Sequence, residues 1–126
     1  MQVFITLVIL ALILLAFVFL KLRKRGLSKG DRKKVLKMWR RLDEIEDRAR
    51  RVLEADSIFD KALGMLGYTG SIADKLKAAG PRIENLNSVW SAHKLRNQIA
   101  HEPGMQVSNS ASDRALSVFK KAIDSL

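Results

Sequence analysis

The chain has 126 residues, enough for one small domain, and carries a formal net charge of +10. It contains no cysteine, which excludes a disulfide scaffold and a zinc site built on thiolates, and which fits a reducing compartment. Apolar and charged residues are unevenly distributed along the chain, so different structures are predicted for its segments.

An uncharged apolar segment comes first: residues 3–20, VFITLVILALILLAFVFL, have one polar side chain, Thr6. As a helix this segment would be about 27 Å long, close to the hydrocarbon thickness of a bilayer, which predicts a membrane-spanning helix. A cleaved signal peptide is the alternative. It would have basic residues before the apolar segment and a small-residue cleavage site after it, whereas MQ precedes this segment and KLRKRG follows it.

The basic residues that follow the apolar segment predict its orientation. They are Lys21, Arg23, Lys24 and Arg25. Because Lys and Arg next to a span stay on the cytoplasmic side, we expect a single-pass protein of the plasma membrane. Its N-terminus would lie outside the cell and its C-terminal domain in the cytoplasm.

The excess positive charge lies entirely beside this predicted anchor. Residues 21–41 hold eleven Lys or Arg and one acid, whereas residues 42–126 hold twelve basic and twelve acidic residues. Anionic lipid headgroups are therefore the expected partner of residues 21–41. A nucleic-acid surface on the same segment is the alternative, since a basic helix attracts phosphates without regard to sequence.

The remaining sequence predicts helices only. Residues 26–34 are expected to form a basic hinge, after which apolar residues recur every three or four positions from Val35 to Leu66, indicating one long helix. Asp56 interrupts this stripe and is expected to be a buried polar contact or a local break. Residues 64–71 are rich in glycine and predict a turn, since the strand and the Lys-Ser/Thr pair of a phosphate-binding loop are missing.

Shorter helices follow, and the fold class is all-α: an N-terminal transmembrane helix and a small antiparallel bundle of about four helices. Ser71 and Ser110 are the expected N-caps, and Gly80 is an expected stop. These helices are predicted over residues 72–79, 83–102 and 111–126. The chain is expected to divide into an anchor with a basic flank (residues 1–25), a basic hinge (26–34) and a helical bundle (35–126).

The helix predicted over 83–102 has two apolar faces. One stripe begins apolar and turns polar; it comprises Ile83, Leu86, Trp90, His93, Asn97 and His101. Leu95 and Ile99 lie on a second stripe, almost opposite the first. A helix that is apolar on one side and then on the other is expected to be covered twice, once by its own bundle and once by something else, such as a second copy. This pattern predicts a homodimer.

The polar end of this helix, RNQIAH, contains Arg96, Asn97 and His101. It resembles the R-x4–6-H box of the HEPN superfamily, which lies near the end of a helix in a small all-α bundle. The resemblance extends over about residues 36–126, and it implies RNA or nucleotide binding and, in active members, metal-independent RNA cleavage. Pro103 stands where the members regulated by tyrosine modification have that tyrosine.

The resemblance also implies roles for these side chains. Arg96 would stabilise the transition-state charge, His101 would move the proton of the 2′-hydroxyl, and Asn97 would orient the phosphate or the histidine. His93 and Lys94 are further candidate binding residues. Arg96 and His101 are about 140° apart around one helix, so a two-fold pair of helices is expected to gather them, as in HEPN dimers.

Neither a metal nor another cofactor is expected. The two histidines are two turns apart, and no His-Glu-x-x-His pattern is present. The alternative function is a non-catalytic structural or protein-interaction module in the membrane. In that case Arg96 and Asn97 would hydrogen-bond neighbouring helix ends.

Overall fold

The computed structural model describes residues 1–23 and 26–126, and all of the regular structure within these residues is helical. The α-helices are α1 (Gln2–Arg23), α2 (Lys29–Arg40), α3 (Arg48–Met65), α4 (Ile72–Ala79), α5 (Leu86–His101) and α6 (Asn109–Asp124). Two short 3₁₀ helices, Arg41–Glu44 and Gly80–Arg82, connect α2 to α3 and α4 to α5. The predicted all-α class is confirmed.

Helix α1 is long and apolar enough to cross a membrane, judged by its length and composition. Its large apolar side chains from Val3 to Leu20 are exposed. The hydroxyl of Thr6 donates to the carbonyl oxygen of Gln2 at 2.7 Å, so this polar side chain bonds to its own helix. Without a lipid or protein cover, α1 would expose an apolar surface far larger than soluble proteins carry.

Helices α3, α5 and α6 surround the centre of the hydrophobic core. The rings of Phe59 on α3 and Phe119 on α6 have centroids 5.8 Å apart, and Ser112 at the start of α6 donates to the carbonyl of Arg48 at the start of α3. These two helices therefore run in the same direction. Helix α5 runs antiparallel to α6, because Asn85 at its start donates to the carbonyl of Val118.

Residues 26–34 do not form the predicted hinge. Leu27 is buried in the core, and α2 already begins at Lys29, where Ser28 caps it by accepting from the amide of Asp31. The amide of Leu27 donates to the carbonyl of Leu126, which attaches this end of the domain to the end of α6. A side chain at Gly26 would approach that carbonyl oxygen to 2.9 Å, so glycine is required by the close contact.

The single long helix predicted over residues 35–66 is wrong. The chain leaves the α-conformation at Arg41, passes through an extended Ile45, and starts α3 after Asp47, whose carboxylate accepts from the amide of Arg50. Leu42 is nevertheless buried and Ile45 half-buried, so the apolar stripe continues across the break. The apolar periodicity predicted which residues face the core. The position where the next helix starts is indicated instead by the capping aspartate.

The turn predicted over 64–71 is confirmed for residues 66–71, with Gly67 and Gly70 at positive φ, whereas residues 64 and 65 still belong to α3; α4 spans 72–79 as predicted. Ser71 and Asp74 form a capping box, and hydrogen bonds from Ser71 lower the pKa of Asp74. Asp74 therefore stabilises the fold at neutral pH, and this contribution is lost as the pH falls below about 4.

The last two helices differ from the predicted ranges at their ends. Helix α5 starts at Leu86 rather than at Ile83, because the 3₁₀ segment around Pro81 and an extended Ile83 come before it. Helix α6 starts at Asn109, capped by Ser108 rather than Ser110, since the hydroxyl of Ser108 accepts from the amide of Ala111. Both serines lie in the same polar loop, and either could cap by residue type.

Candidate functional site

The candidate site begins with a buried acid–histidine pair between α3 and α5. Asp56 and His93 are each almost inaccessible to solvent, and the Nδ1 of His93 lies 2.8 Å from the Oδ1 of Asp56. Asp56 occupies the polar slot in the apolar stripe of α3, and His93 occupies the first polar slot in the stripe of α5. Of the two predictions for Asp56, the buried polar contact is correct.

Arg96 and Asn97 join this pair into a closed ring of polar contacts. The Nε of Arg96 lies 3.4 Å from the Oδ2 of Asp56, and its Nη1 donates to the Oδ1 of Asn97 at 3.3 Å. The Nδ2 of Asn97 is 3.4 Å from the Nε2 of His93. The contact of Nε with Asp56 is an ion pair without the alignment of a hydrogen bond.

The direction of each contact in the ring follows from its two charged members. Arg96 has only donors and the Asp56 carboxylate only acceptors, so Asn97 accepts from Arg96 with its oxygen and donates to His93 with its nitrogen. His93 then accepts at Nε2 and donates from Nδ1 to Asp56. Asp56 therefore only accepts and Arg96 only donates, whereas His93 and Asn97 each donate once and accept once.

The ring leaves one side of Arg96 accessible to solvent. About a third of its side chain, 36%, is exposed, whereas the side chains of His93 and Asp56 are 8% and 5% exposed. His93, a candidate binding residue, is buried and contacts Asp56 and Asn97. The other members of the predicted site, Lys94 and His101, are exposed on α5.

The folded-back guanidinium changes the expected geometry of the Arg96–His101 box. Their positions on α5 are about 140° apart, yet the Nη1 of Arg96 reaches the Oδ1 of Asn97. Asn97 and His101 are four residues apart and therefore neighbours on one helix face. The Arg96 guanidinium thus contacts Asn97, the residue that shares a helix face with His101.

The second stripe of α5 is not the free apolar surface expected from the sequence. Leu95 and Ile99 are half-buried and pack against the hydrophobic core. Leu95 also lines a groove of about 450 Å³ between α5 and α6, together with Ala92, Ala115 and Val118. The homodimer remains a prediction, but the reason given for it, a fully uncovered face, is removed.

Sequence reasoning missed two residues that belong with the box. Asp56 was recognised as a polar interruption, but its pairing with Arg96 and His93 is a contact across about forty residues that one sequence does not reveal. Trp90 packs against the core as expected, but it is half-buried, and its ring stands edge-on to His93 with centroids 6.2 Å apart. The Trp90 side chain therefore borders the polar face formed by Lys94, Asn97 and His101.

Within residues 1–23 and 26–126, no group of three or more His, Cys, Asp or Glu side chains is arranged to hold a metal ion. Comparison with known proteins gives no matching family model, and neither a curated protein nor a solved structure matches the chain. The chemistry of the site is therefore argued from its residues.

Proposed function

We propose that α1 anchors the protein in the plasma membrane as a single span, with the helical domain in the cytoplasm. The length of α1, its uncovered apolar side chains and the basic residues that follow it support this proposal. A bilayer would remove the α1 side chains from water, and an anionic cytoplasmic leaflet would attract the basic segment.

The orientation predicts a simple protease-protection result. With a different epitope tag at each terminus, protease added to intact cells is expected to remove the N-terminal tag and to spare the C-terminal tag. Permeabilised cells are the control, in which both tags should be cleaved. Loss of the C-terminal tag alone from intact cells would contradict the cytoplasmic location.

We further propose that the domain is a HEPN-like module that binds single-stranded RNA on the polar face of α5 and cleaves it. The observation that carries this proposal is the Asp56–His93 pair, which holds the Arg96 guanidinium beside Asn97, one turn from the exposed His101. A guanidinium with free donors suits a phosphate, and a half-buried indole suits base stacking. Lys94 adds a positive charge to the same face.

The cleavage would use the substrate's own 2′-hydroxyl. The imidazole of His101 removes the hydroxyl proton as the 2′-oxygen attacks the adjacent phosphorus. The bond from phosphorus to the 5′-oxygen breaks, that oxygen takes a proton from water, and the hydroxide that remains takes the proton from His101, which can then act again. The products are a 2′,3′-cyclic phosphate and a 5′-hydroxyl, and Arg96 stabilises the negative charge on the phosphoryl oxygens during the attack.

Lys94 gives the direct test of RNA binding. In the full chain, reconstituted in neutral phosphatidylcholine nanodiscs, Lys94→Ala is expected to weaken binding of a labelled single-stranded RNA several-fold at low salt. It should also reduce the slope of log affinity against log salt by about 0.7, the effect of one lost phosphate contact. The measurement is fluorescence anisotropy over a series of salt concentrations.

The matched control is Lys121→Ala, which removes the same charge from an exposed position near the end of α6. It is expected to leave both the RNA affinity and the salt slope unchanged. Equal losses in the two variants would mean that RNA is attracted by net charge alone, and the α5 face would lose its assignment.

The second candidate function is a non-catalytic interaction module. It is favoured by the ion pair between Arg96 and Asp56, which already occupies part of the guanidinium, and by the apolar groove between α5 and α6. In this case the polar ring would serve to fix the relative position of α3 and α5. A wild-type protein that binds no RNA would support this second function.

A further inference from the structure

A second surface of the domain lies between α2 and α3, away from the polar ring. It is an open cavity of about 630 Å³, and its lining combines cationic and apolar side chains. The cationic residues are Lys34, Lys37 and Arg41 from α2 and its 3₁₀ extension, and Lys61 from α3; the apolar residues include Met38 and Met65. None of the described residues that line it is acidic.

The charges of this cavity are largely uncompensated. Lys34 lies 3.9 Å from Asp31, but its side chain is 72% exposed, so this pair is weak and screened. Asp60, the neighbour of Lys61 in sequence, has its carboxylate 2.8 Å from the ammonium of Lys75. Lys37, Arg41 and Lys61 are exposed and face a common space. An anionic group placed there would gain from several cations at once.

We propose that this cavity binds the phosphate-bearing headgroup of an anionic phospholipid from the membrane that α1 spans. The four cations would hold the phosphate, and Met38 and Met65 would contact the apolar part of the lipid next to it. This proposal rests on the proposed membrane location of α1. In addition to the basic segment 21–41, a defined cavity would contact the lipid, and Lys61, which lies far from that segment in sequence, would contribute a further cation.

The chain length places the cavity within reach of the bilayer surface. Helix α2 starts at Lys29, six residues after Arg23 at the end of α1, and six residues span at most about 20 Å. Lys34 and Lys37 lie only about 8 and 12 Å further along α2. RNA is the less suitable occupant, because the described lining contains no aromatic side chain on which a base could stack.

The test uses the full chain in neutral detergent micelles doped with equal amounts of phosphatidylglycerol and phosphatidylcholine, and native mass spectrometry counts the retained lipids. The wild type is expected to retain the anionic lipid preferentially. Reversing one charge from each helix, in Lys37→Glu/Lys61→Glu, should reduce this retention by about tenfold or more. The neutral pair Lys37→Gln/Lys61→Gln should give a smaller loss in the same direction.

A control with the same change in net charge is Lys77→Glu/Lys121→Glu, at two exposed positions outside the cavity. It should retain the lipid as the wild type does; equal loss would overturn the pocket. Circular dichroism checks that each variant is as helical as the wild type, and if the Glu pair is not, the Gln pair decides. A wild type that retains both lipids equally also overturns the proposal.

Two competition arms identify the source of the anion. Millimolar inorganic phosphate should leave the lipid bound, and complete displacement by it would overturn the lipid assignment in favour of free phosphate. Excess single-stranded RNA should likewise fail to displace the lipid, and displacement would assign the cavity to nucleic acid. A detergent micelle has no inside and outside, so lipid retention does not depend on the orientation of α1. A failure of the protease-protection test can therefore be distinguished from a failure of the lipid-binding test.

Discussion

Replacing Asp56 with alanine is expected to lower the free energy of unfolding of the helical domain by about 3 kcal/mol, the lower end of the range for removing one partner of a buried ion pair. The variant leaves the Nδ1–H of His93 without its acceptor in a buried site and leaves the Nε of Arg96 without an anion. A buried donor without a partner loses its hydration and gains nothing in return. Chemical unfolding of the full chain in detergent, followed by circular dichroism, measures the effect.

The matched control is Asp124→Ala, which also removes one carboxylate from one helix. Asp124 pairs with Lys120 at 2.7 Å, but the two side chains are 54% and 34% exposed, so the expected cost is below about 1 kcal/mol. If the two variants were equally stable, the polar ring would contribute no more than a surface ion pair does. Its proposed role in holding Arg96 would then be lost.

Asp56 and Leu42 illustrate which features of the fold could be predicted from the sequence. Leu42 continues the apolar stripe from Val35 to Leu66 and Asp56 interrupts it, yet both are buried. The stripe therefore predicted the core-facing positions correctly, although the helix is broken between Arg41 and Asp47. Burial follows from local periodicity, whereas helix continuity depends on caps. The acidic sequence DEIED contains the capping residue, which the apolar periodicity does not indicate.

The candidate site was less predictable for a different reason. Arg96, Asn97 and His101 are neighbours in sequence and could be identified as a box, but Asp56 joins them only through the packing of α3 against α5. The direction of the long Arg96 side chain also depends on that contact. Helical geometry alone separated Arg96 from His101 by about 140°, because it places Cβ atoms and not the ends of side chains.

The second large effect is expected at His101. Because its imidazole is the proposed proton acceptor for the 2′-hydroxyl, His101→Ala should reduce RNA cleavage by about 10²- to 10⁴-fold, the usual contribution of a general base. RNA affinity should change far less, since the phosphate contacts come from Arg96 and Lys94. His101 is exposed and bonds to no other described side chain, so its removal should leave the fold intact.

Mixing variants tests whether one protomer carries the whole site. Arg96→Ala and His101→Ala chains, reconstituted together, are expected to stay inactive, because Arg96 contacts Asn97, which shares a face of the same α5 helix with His101. A composite site shared by two copies would instead recover up to about a quarter of the wild-type rate, because half of the random dimers are mixed and each carries one intact set. Such a recovery of activity would indicate that the homodimer is the functional unit.

The central claim is that the polar face of α5 acts on RNA, and the most direct measurement is cleavage of a single-stranded RNA by the full chain in neutral nanodiscs. EDTA is present throughout, and a matched RNA with 2′-deoxy sugars is the substrate control. We expect wild-type protein to produce fragments ending in a 2′,3′-cyclic phosphate, with no cleavage of the 2′-deoxy strand and almost none by His101→Ala. RNA left intact by the wild type, or cut equally by wild type and His101→Ala, would contradict it.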